Sequence, residues 1–180
     1  MPLGEDVSRL IRMYKSSGPH ENFKVIAIED NEAGKSFQDM FGEYFLPHCL
    51  AVESETVVIQ DPYVYQPYQI SNFKSLCDFI KARCPNLKKI VLRTKIPSRC
   101  PTYYERPNSV QISDKMVQIM HVTEIHSRKI YFNTRLLILM DRGLDIWKDP
   151  CRSAFRKTEI CILSDIEITN ELVKDVKTHM

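Results

Sequence analysis

A strand, a long helix and a second strand follow one another early in the chain, and that order leaves few folds open. Glu55–Gln60 is short and rich in β-branched residues, which is the pattern of a buried strand. From about Gln66 to Arg83, Ile70, Phe73, Cys77 and Ile80 recur on one helical face, and Pro85 closes the helix. Lys88–Thr94 then reads as another strand. A crossover of this length returns the chain parallel to where it started, with right-handed connectivity. The expected fold class is therefore α/β: a mixed β-sheet flanked by helices on both faces. In such sheets, sites gather beyond the carboxyl ends of the strands. The turn Asp61-Pro62-Tyr63 occupies that position after the first of these strands.

The other segments fit the same class. Phe23–Ile28 alternates as a strand, and Ser36 opens a helix whose Phe37, Met40, Phe41, Tyr44 and Phe45 form one apolar face up to Pro47. Pro97, Pro101 and Pro107 make residues 95–109 irregular. Val117–Val122 alternates again. Lys129–Asn133 and Leu136–Asp141 suggest a hairpin around Asn133-Thr134-Arg135, and Glu159–Leu163 is the last strand. Ile168–Val176 is predicted to be a C-terminal helix, and Trp147 is assigned to the core. At 180 residues the chain corresponds to about one domain. Residues 1–22 are expected to be an N-terminal arm or linker remnant, and 23–180 the domain itself.

Composition removes several functions. Five glycines leave no room for a glycine-rich phosphate loop. The six cysteines (Cys49, Cys77, Cys84, Cys100, Cys151 and Cys161) form no C-x-x-C pair, so they read as free thiols and no metal site is expected. The longest apolar run, Leu136–Met140, is far short of the twenty or so residues that span a bilayer. Met1–Arg12 has no signal-like apolar core, so the chain is expected in the cytoplasm. Charge is uneven: residues 93–157 hold 13 Lys and Arg against 6 Asp and Glu, an excess of seven. Such a surplus suggests an anionic partner without naming it.

The segment Ile125-His126-Ser127-Arg128-Lys129-Ile130-Tyr131-Phe132-Asn133 carries the chemistry. It fits H-x-R-x-x-x-x-N, which resembles the phospholipase D signature H-x-K-x-x-x-x-D with Arg128 for the lysine and Asn133 for the aspartate. In the active signature a histidine attacks phosphorus, a cation steadies the phosphate, and a second copy of the motif supplies the acid. Here Asn133 is expected to remove a carboxylate from beside the phosphate, whereas Arg128 keeps a forked donor suited to phosphate oxygens. Asp61, Tyr63 and Asn72 are candidates for a polar network around the cleft.

Several further stretches strengthen this likeness: Ile28-Glu-Asp-Asn31 with Ser36-Phe37 and Tyr44; Ile59–Tyr63; Gln69 with Asn72-Phe73; Arg142-Gly-Leu-Asp145; and Ser153-Ala-Phe155 with Cys161. Together they resemble the phospholipase D-like MIT C-terminal domain family over about residues 23–165. The resemblance implies a phospholipase D fold without paired catalytic motifs, a pseudoenzyme without cofactors that binds acidic phospholipids, phosphoinositides included, and forms a homodimer. It implies a peripheral membrane location, at endosomes or the midbody, and a link to ESCRT-III in late cytokinesis. No MIT domain fits into residues 1–22, so contact with ESCRT-III requires one supplied elsewhere. The proline-rich 95–109 segment departs from the family, which carries a longer helical insertion there.

Arg128, Lys129, Arg135, Arg142, Lys148, Arg152, Arg156 and Lys157 are the candidates for headgroup contact. Each is worth on the order of 1 kcal/mol near an anionic surface, fading within a Debye length of about 10 Å. Two rivals use the same residues. A dimeric phosphodiesterase or nuclease would employ His126 from each chain. A nucleic-acid binder would use the basic region, but no basic strand with interleaved aromatics stands out, so nucleic acid is not expected as a partner.

Overall fold

The computed structural model describes residues 9, 12, 23–28, 49–95, 113–125, 127–140, 144, 147–149, 154–155, 158–166 and 172–180. Its elements run β1 (Phe23–Ile28), α1 (Cys49–Val52), β2 (Thr56–Gln60), α2 (Pro67–Arg83), β3 (Lys89–Thr94), β4 (Val117–His121), β5 (Lys129–Phe132), β6 (Leu136–Met140), β7 (Trp147–Asp149), β8 (Ala154–Phe155) and β9 (Thr158–Leu163). Seven strands form one sheet in the order β1-β9-β6-β5-β2-β3-β4, and β7 pairs with β8 apart from it. β2, β3 and β4 are parallel, while β5, β6, β9 and β1 continue the sheet antiparallel. The predicted β2-α2-β3 crossover is present. The sheet is mixed, as expected of an α/β domain.

Strand alternation splits the core in two. Val57, Ile59, Ile90, Leu92, Ile130, Phe132 and Ile138 pack with Phe73, Leu76, Cys77 and Ile80 of α2. We call this face of the sheet the front. Val58, Val91, Tyr131, Leu137, Leu139 and Cys161 form the back, where Val173 and Val176 cover them. Because both faces are covered, β5 and β6 are buried along their whole length. Helix α2 starts at Pro67, and the Gln69 side chain accepts from the Gln66 amide at 2.9 Å, which satisfies one orphan donor of the first turn. Burial pushes the Cys77 thiol up to about 12 and the Cys84 thiol up to about 11, so both are inert hydrophobes at neutral pH.

The predicted C-terminal helix is not what forms. Residues 172–176 are turns, followed by a 3-10 turn at Lys177–His179. The amides of Val176, His179 and Met180 each bond to the carbonyl three residues back. The Lys129 side chain holds the Leu172 carbonyl, which an α-helix would need for the Val176 amide. Tertiary bonds therefore override the local helical pattern. The helix expected from Ser36 to Pro47 lies outside the described residues, as does all of 95–109 except Lys95.

The β5–β6 hairpin forms around Asn133–Arg135, with Phe132 opposite Leu136. Arg135 closes it at φ 72°, in the left-handed region. Its amide bonds to the Phe132 carbonyl at 3.0 Å. A β-branched side chain is poorly tolerated there, whereas glycine is not penalised. Arg135→Val is expected to lower stability by about 1–2 kcal/mol and Arg135→Gly to hold or raise it, as read from urea midpoints.

Candidate functional site

β2, β3 and β4 end at one edge of the sheet, and β5 begins there, because it runs antiparallel to β2 with Gln60 opposite Lys129. The segment 125–128 therefore enters the sheet where the parallel strands finish. Asp61, one residue beyond β2, is 3% exposed. Its Oδ1 accepts from the Tyr63 amide at 3.0 Å, and its Oδ2 accepts from the Leu144 amide at 2.8 Å. The Arg128 Nε lies 3.7 Å from Oδ1, and the guanidinium sits over the Tyr63 ring at 5.0 Å from its centre. The Arg128 side chain is only 10% exposed. Asn72, buried on α2, donates through Nδ2 to the Leu144 carbonyl at 2.8 Å. Leu144 is thus held through both its amide and its carbonyl, which pins the chain after β6 against the site.

The expected network of Asp61, Tyr63 and Asn72 is present, and Arg128 belongs to it. Ile125 and Ser127 flank His126, which itself lies outside the described residues, as do Arg142, Arg152, Arg156 and Lys157. Lys148 falls within β7.

Asn133 occupies a different place from the one expected. It follows β5 at the far end of the strand from Arg128, five residues away, or roughly 16 Å along an extended chain. Its Oδ1 accepts from the amides of Glu55 and Thr56 at 3.0 and 3.2 Å, and its own amide bonds to the Thr56 carbonyl at 3.0 Å. It caps the start of β2. Asparagine in this position therefore takes nothing from beside Arg128, and an aspartate could accept the same two bonds.

Lys129 also departs from the expectation of a headgroup contact. Alternation turns it to the back of the sheet, and it is 3% exposed. Its Nζ donates to Asp175 Oδ1 at 2.6 Å and to the Leu172 carbonyl at 2.7 Å. Gln60 points the same way, and its Nε2 donates to Asp175 Oδ2 at 3.2 Å and to Ser127 Oγ at 2.9 Å. The Nη1 of Arg93 reaches the Asp175 carbonyl. Burial, with Arg93 nearby, lowers the Lys129 pKa below the usual lysine range against the pull of Asp175. Burial alone would raise Asp175, but its bonds to Lys129 and Gln60 outweigh this and hold it below the usual carboxylate range. Arg135 is exposed in the hairpin loop and pairs with Asp165 at 3.2 Å. Arg128, Lys129 and Arg135 therefore lie on the front, on the back and at the opposite end of the hairpin, and do not form one patch.

Sequence reading missed Gln60, Arg93, Leu144 and Asp175. Gln60 and Leu144 fall within stretches that carry the family resemblance without being named as site residues, and Arg93 is a charge directly after the apolar run Ile90–Leu92; Asp175 carried no signal. Among the described residues no cluster of His, Cys, Asp or Glu could hold a metal, and no helix is long and apolar enough to cross a membrane.

The family model described as the phospholipase D-like domain at the C-terminus of MIT matches residues 34–159. MIT domain-containing protein 1 of Mus musculus is 28% identical over 156 residues, which is 83% of this chain and 60% of the relative, so the chain spans well under two thirds of that protein's length. Among solved structures, NucT from Helicobacter pylori superposes with a TM-score of 0.51 at 9% identity, over 87% of this chain and 92% of that one. Phosphatidylserine synthase of Haemophilus influenzae Rd KW20 gives 0.46 at 10% identity, over 99% and 46%. The NucT likeness shows the fold.

Two outcomes follow from this geometry. Asp61→Ala removes one partner of a largely buried ion pair and leaves the Leu144 amide unmet, so it is expected to cost about 3–5 kcal/mol in a urea titration. Asp175 has a folded pKa below its unfolded value near 3.8, so its contribution is intact above that pH. The contribution is lost as the pH falls through the lower, folded value. Urea midpoints measured against pH should drop steeply there in the wild type and less so in Asp175→Asn.

Proposed function

Since the chain belongs to the family of phospholipase D-like domains at the C-terminus of MIT proteins, we propose that it is a non-catalytic module that binds acidic phospholipids, phosphoinositides included, at membrane surfaces. The observation that carries this reading is the engagement of Arg128 by Asp61. In a working phosphodiesterase site the motif cation has to meet substrate oxygens. Here the guanidinium is nearly buried, faces an internal carboxylate and lies over an aromatic ring. Much of its charge is neutralised before any phosphate arrives. The chain also carries a single H-x-R motif, and so one candidate nucleophile and no paired acid.

Lipid attachment falls to cations elsewhere. Arg93, Arg128 and Lys129 are held internally, which leaves ten Lys and Arg against six Asp and Glu between 93 and 157. Five of these ten (Arg142, Lys148, Arg152, Arg156 and Lys157) fall within sixteen residues that hold only Asp145 and Asp149 in opposition. We assign headgroup contact to this stretch. A homodimer would double the basic surface presented to one bilayer and raise its avidity. A cytoplasmic, membrane-peripheral role in late cytokinesis, with ESCRT-III reached through an MIT domain joined to this one, is the cellular setting that goes with the reading.

Vesicle sedimentation tests it. The protein should pellet with phosphoinositide-bearing vesicles at low salt, remain in solution with neutral ones, and be released as salt rises. Each charge reversal among Arg142, Arg152, Arg156 and Lys157 should weaken attachment by roughly fivefold or more, from about 1 kcal/mol per basic residue. Equal pelleting with both vesicle types overturns the reading. So does hydrolysis of a phosphodiester that disappears in His126→Ala, which is the outcome a dimeric phosphodiesterase requires.

A further inference from the structure

We propose that Leu172–Met180 is a strap that sets the position of Ser127 and Arg128 from the reverse face of the sheet, with Asp175 acting through Gln60 as the positioning residue. The inference deepens the anion-docking reading and rests on it for its functional consequence.

Two adjacent residue pairs carry the argument. Gln60 and Asp61 are neighbours in sequence, and so are Arg128 and Lys129. Each pair straddles the sheet: Asp61 and Arg128 meet at the front, while Gln60 and Lys129 both reach Asp175 at the back. Gln60 and Lys129 are also register partners across β2 and β5. A single carboxylate, Asp175, takes a bond from both, with Oδ1 on Lys129 at 2.6 Å and Oδ2 on Gln60 at 3.2 Å. It therefore clips β2 to β5 at the edge where the site is built. Gln60 passes the restraint on: its Nε2 also bonds to the Ser127 carbonyl at 3.1 Å and to Ser127 Oγ at 2.9 Å. Ser127 lies between the motif histidine and the motif arginine. A shift of Asp175 thus has a bonded route to the residue that separates them.

The strap itself is firmly seated. Val173 and Val176 are fully buried against Val58, Val91 and Tyr131. Arg93, buried on β3, holds the Asp175 carbonyl, and Lys129 holds that of Leu172. If the strap lifts, buried Lys129 loses its carboxylate, buried Arg93 loses its carbonyl partner, and an apolar sheet face meets water, all of which are costly. The strap accordingly has one favourable seating, and in that seating Ser127 is tied to it through Gln60. His179, lowered by burial and by Arg93 and Lys89, stays neutral near pH 7 and adds no further positive charge to this side.

Hydrogen exchange tests the inference without requiring any ligand. Ser127 is exposed, so Ser127→Ala removes one acceptor with little risk to folding, and Ser127→Thr restores a hydroxyl. Asp175→Ala removes the clip at its source. Both alanine variants are expected to speed amide exchange across 125–129 by about tenfold, equivalent to about 1.4 kcal/mol of local opening, while the amides of α2 keep their wild-type rates. Arg128, next to Ser127, meets Asp61, and Asp61 holds the Leu144 amide within the basic 142–157 stretch. Sedimentation with phosphoinositide vesicles should therefore weaken several-fold in parallel, and Ser127→Thr should restore both readings. Unchanged exchange across 125–129 in both alanine variants overturns the inference, as does faster exchange with undiminished vesicle binding. Faster exchange in a protein whose wild type binds no acidic vesicle upholds the positioning role and faults the docking reading alone.

Discussion

The pairing of β5 with β2, Gln60 opposite Lys129, is the constraint on which the rest of this molecule depends. It brings the start of an antiparallel strand to the edge where three parallel strands end. With that register fixed, period-two alternation decides every neighbouring side chain. Arg128 meets Asp61 on the face covered by α2, and Lys129 meets Asp175 on the face covered by the C-terminal residues. A slip of one residue would exchange these two cations and place Ile130 and Phe132 on the wrong core. The two apolar clusters make such a slip expensive, so the cores protect the geometry of the site.

The two buried cations are handled differently. Arg128 keeps a marginal exposure and a soft set of partners, a carboxylate at 3.7 Å and an aromatic face, which suits a group near a functional surface. Lys129 is enclosed and bonded twice, and its role is to fasten the C-terminal segment. Basic residues counted from sequence alone thus overstate the charge available to a partner. Once the internally paired cations are set aside, the surplus moves toward residues 142–157.

Asn133 shows how a motif written as a string can mislead about space. The four residues that separate it from Arg128 are the strand itself, so the two stand at opposite ends of β5. Arg128 at one end meets Asp61 and the Tyr63 ring. An asparagine that receives two backbone amides at the other answers to strand nucleation and turn geometry. The departure from aspartate at this position therefore concerns the β2 edge, and the proposed non-catalytic role draws on Arg128 and the single motif instead.

Local pattern was enough to identify the strands β2 to β6 and β9, the helix α2 and the Asn133–Arg135 turn, because each depends on periodicity, β-branching or breaker residues within a few positions. It also singled out Asp61, Tyr63, Asn72 and Arg128 as a polar set in an otherwise apolar setting. It had no access to Asp175 meeting Lys129, to Leu144 being held by Asp61 and Asn72, or to the unwinding of the predicted C-terminal helix. Those outcomes join residues 46 to 83 positions apart, and contacts at that range are chosen by packing and register, not by any propensity a neighbour can report. The chain by itself determined which segments are strands and helix; the tertiary structure decided which face each charged side chain serves, because only the paired sheet has faces.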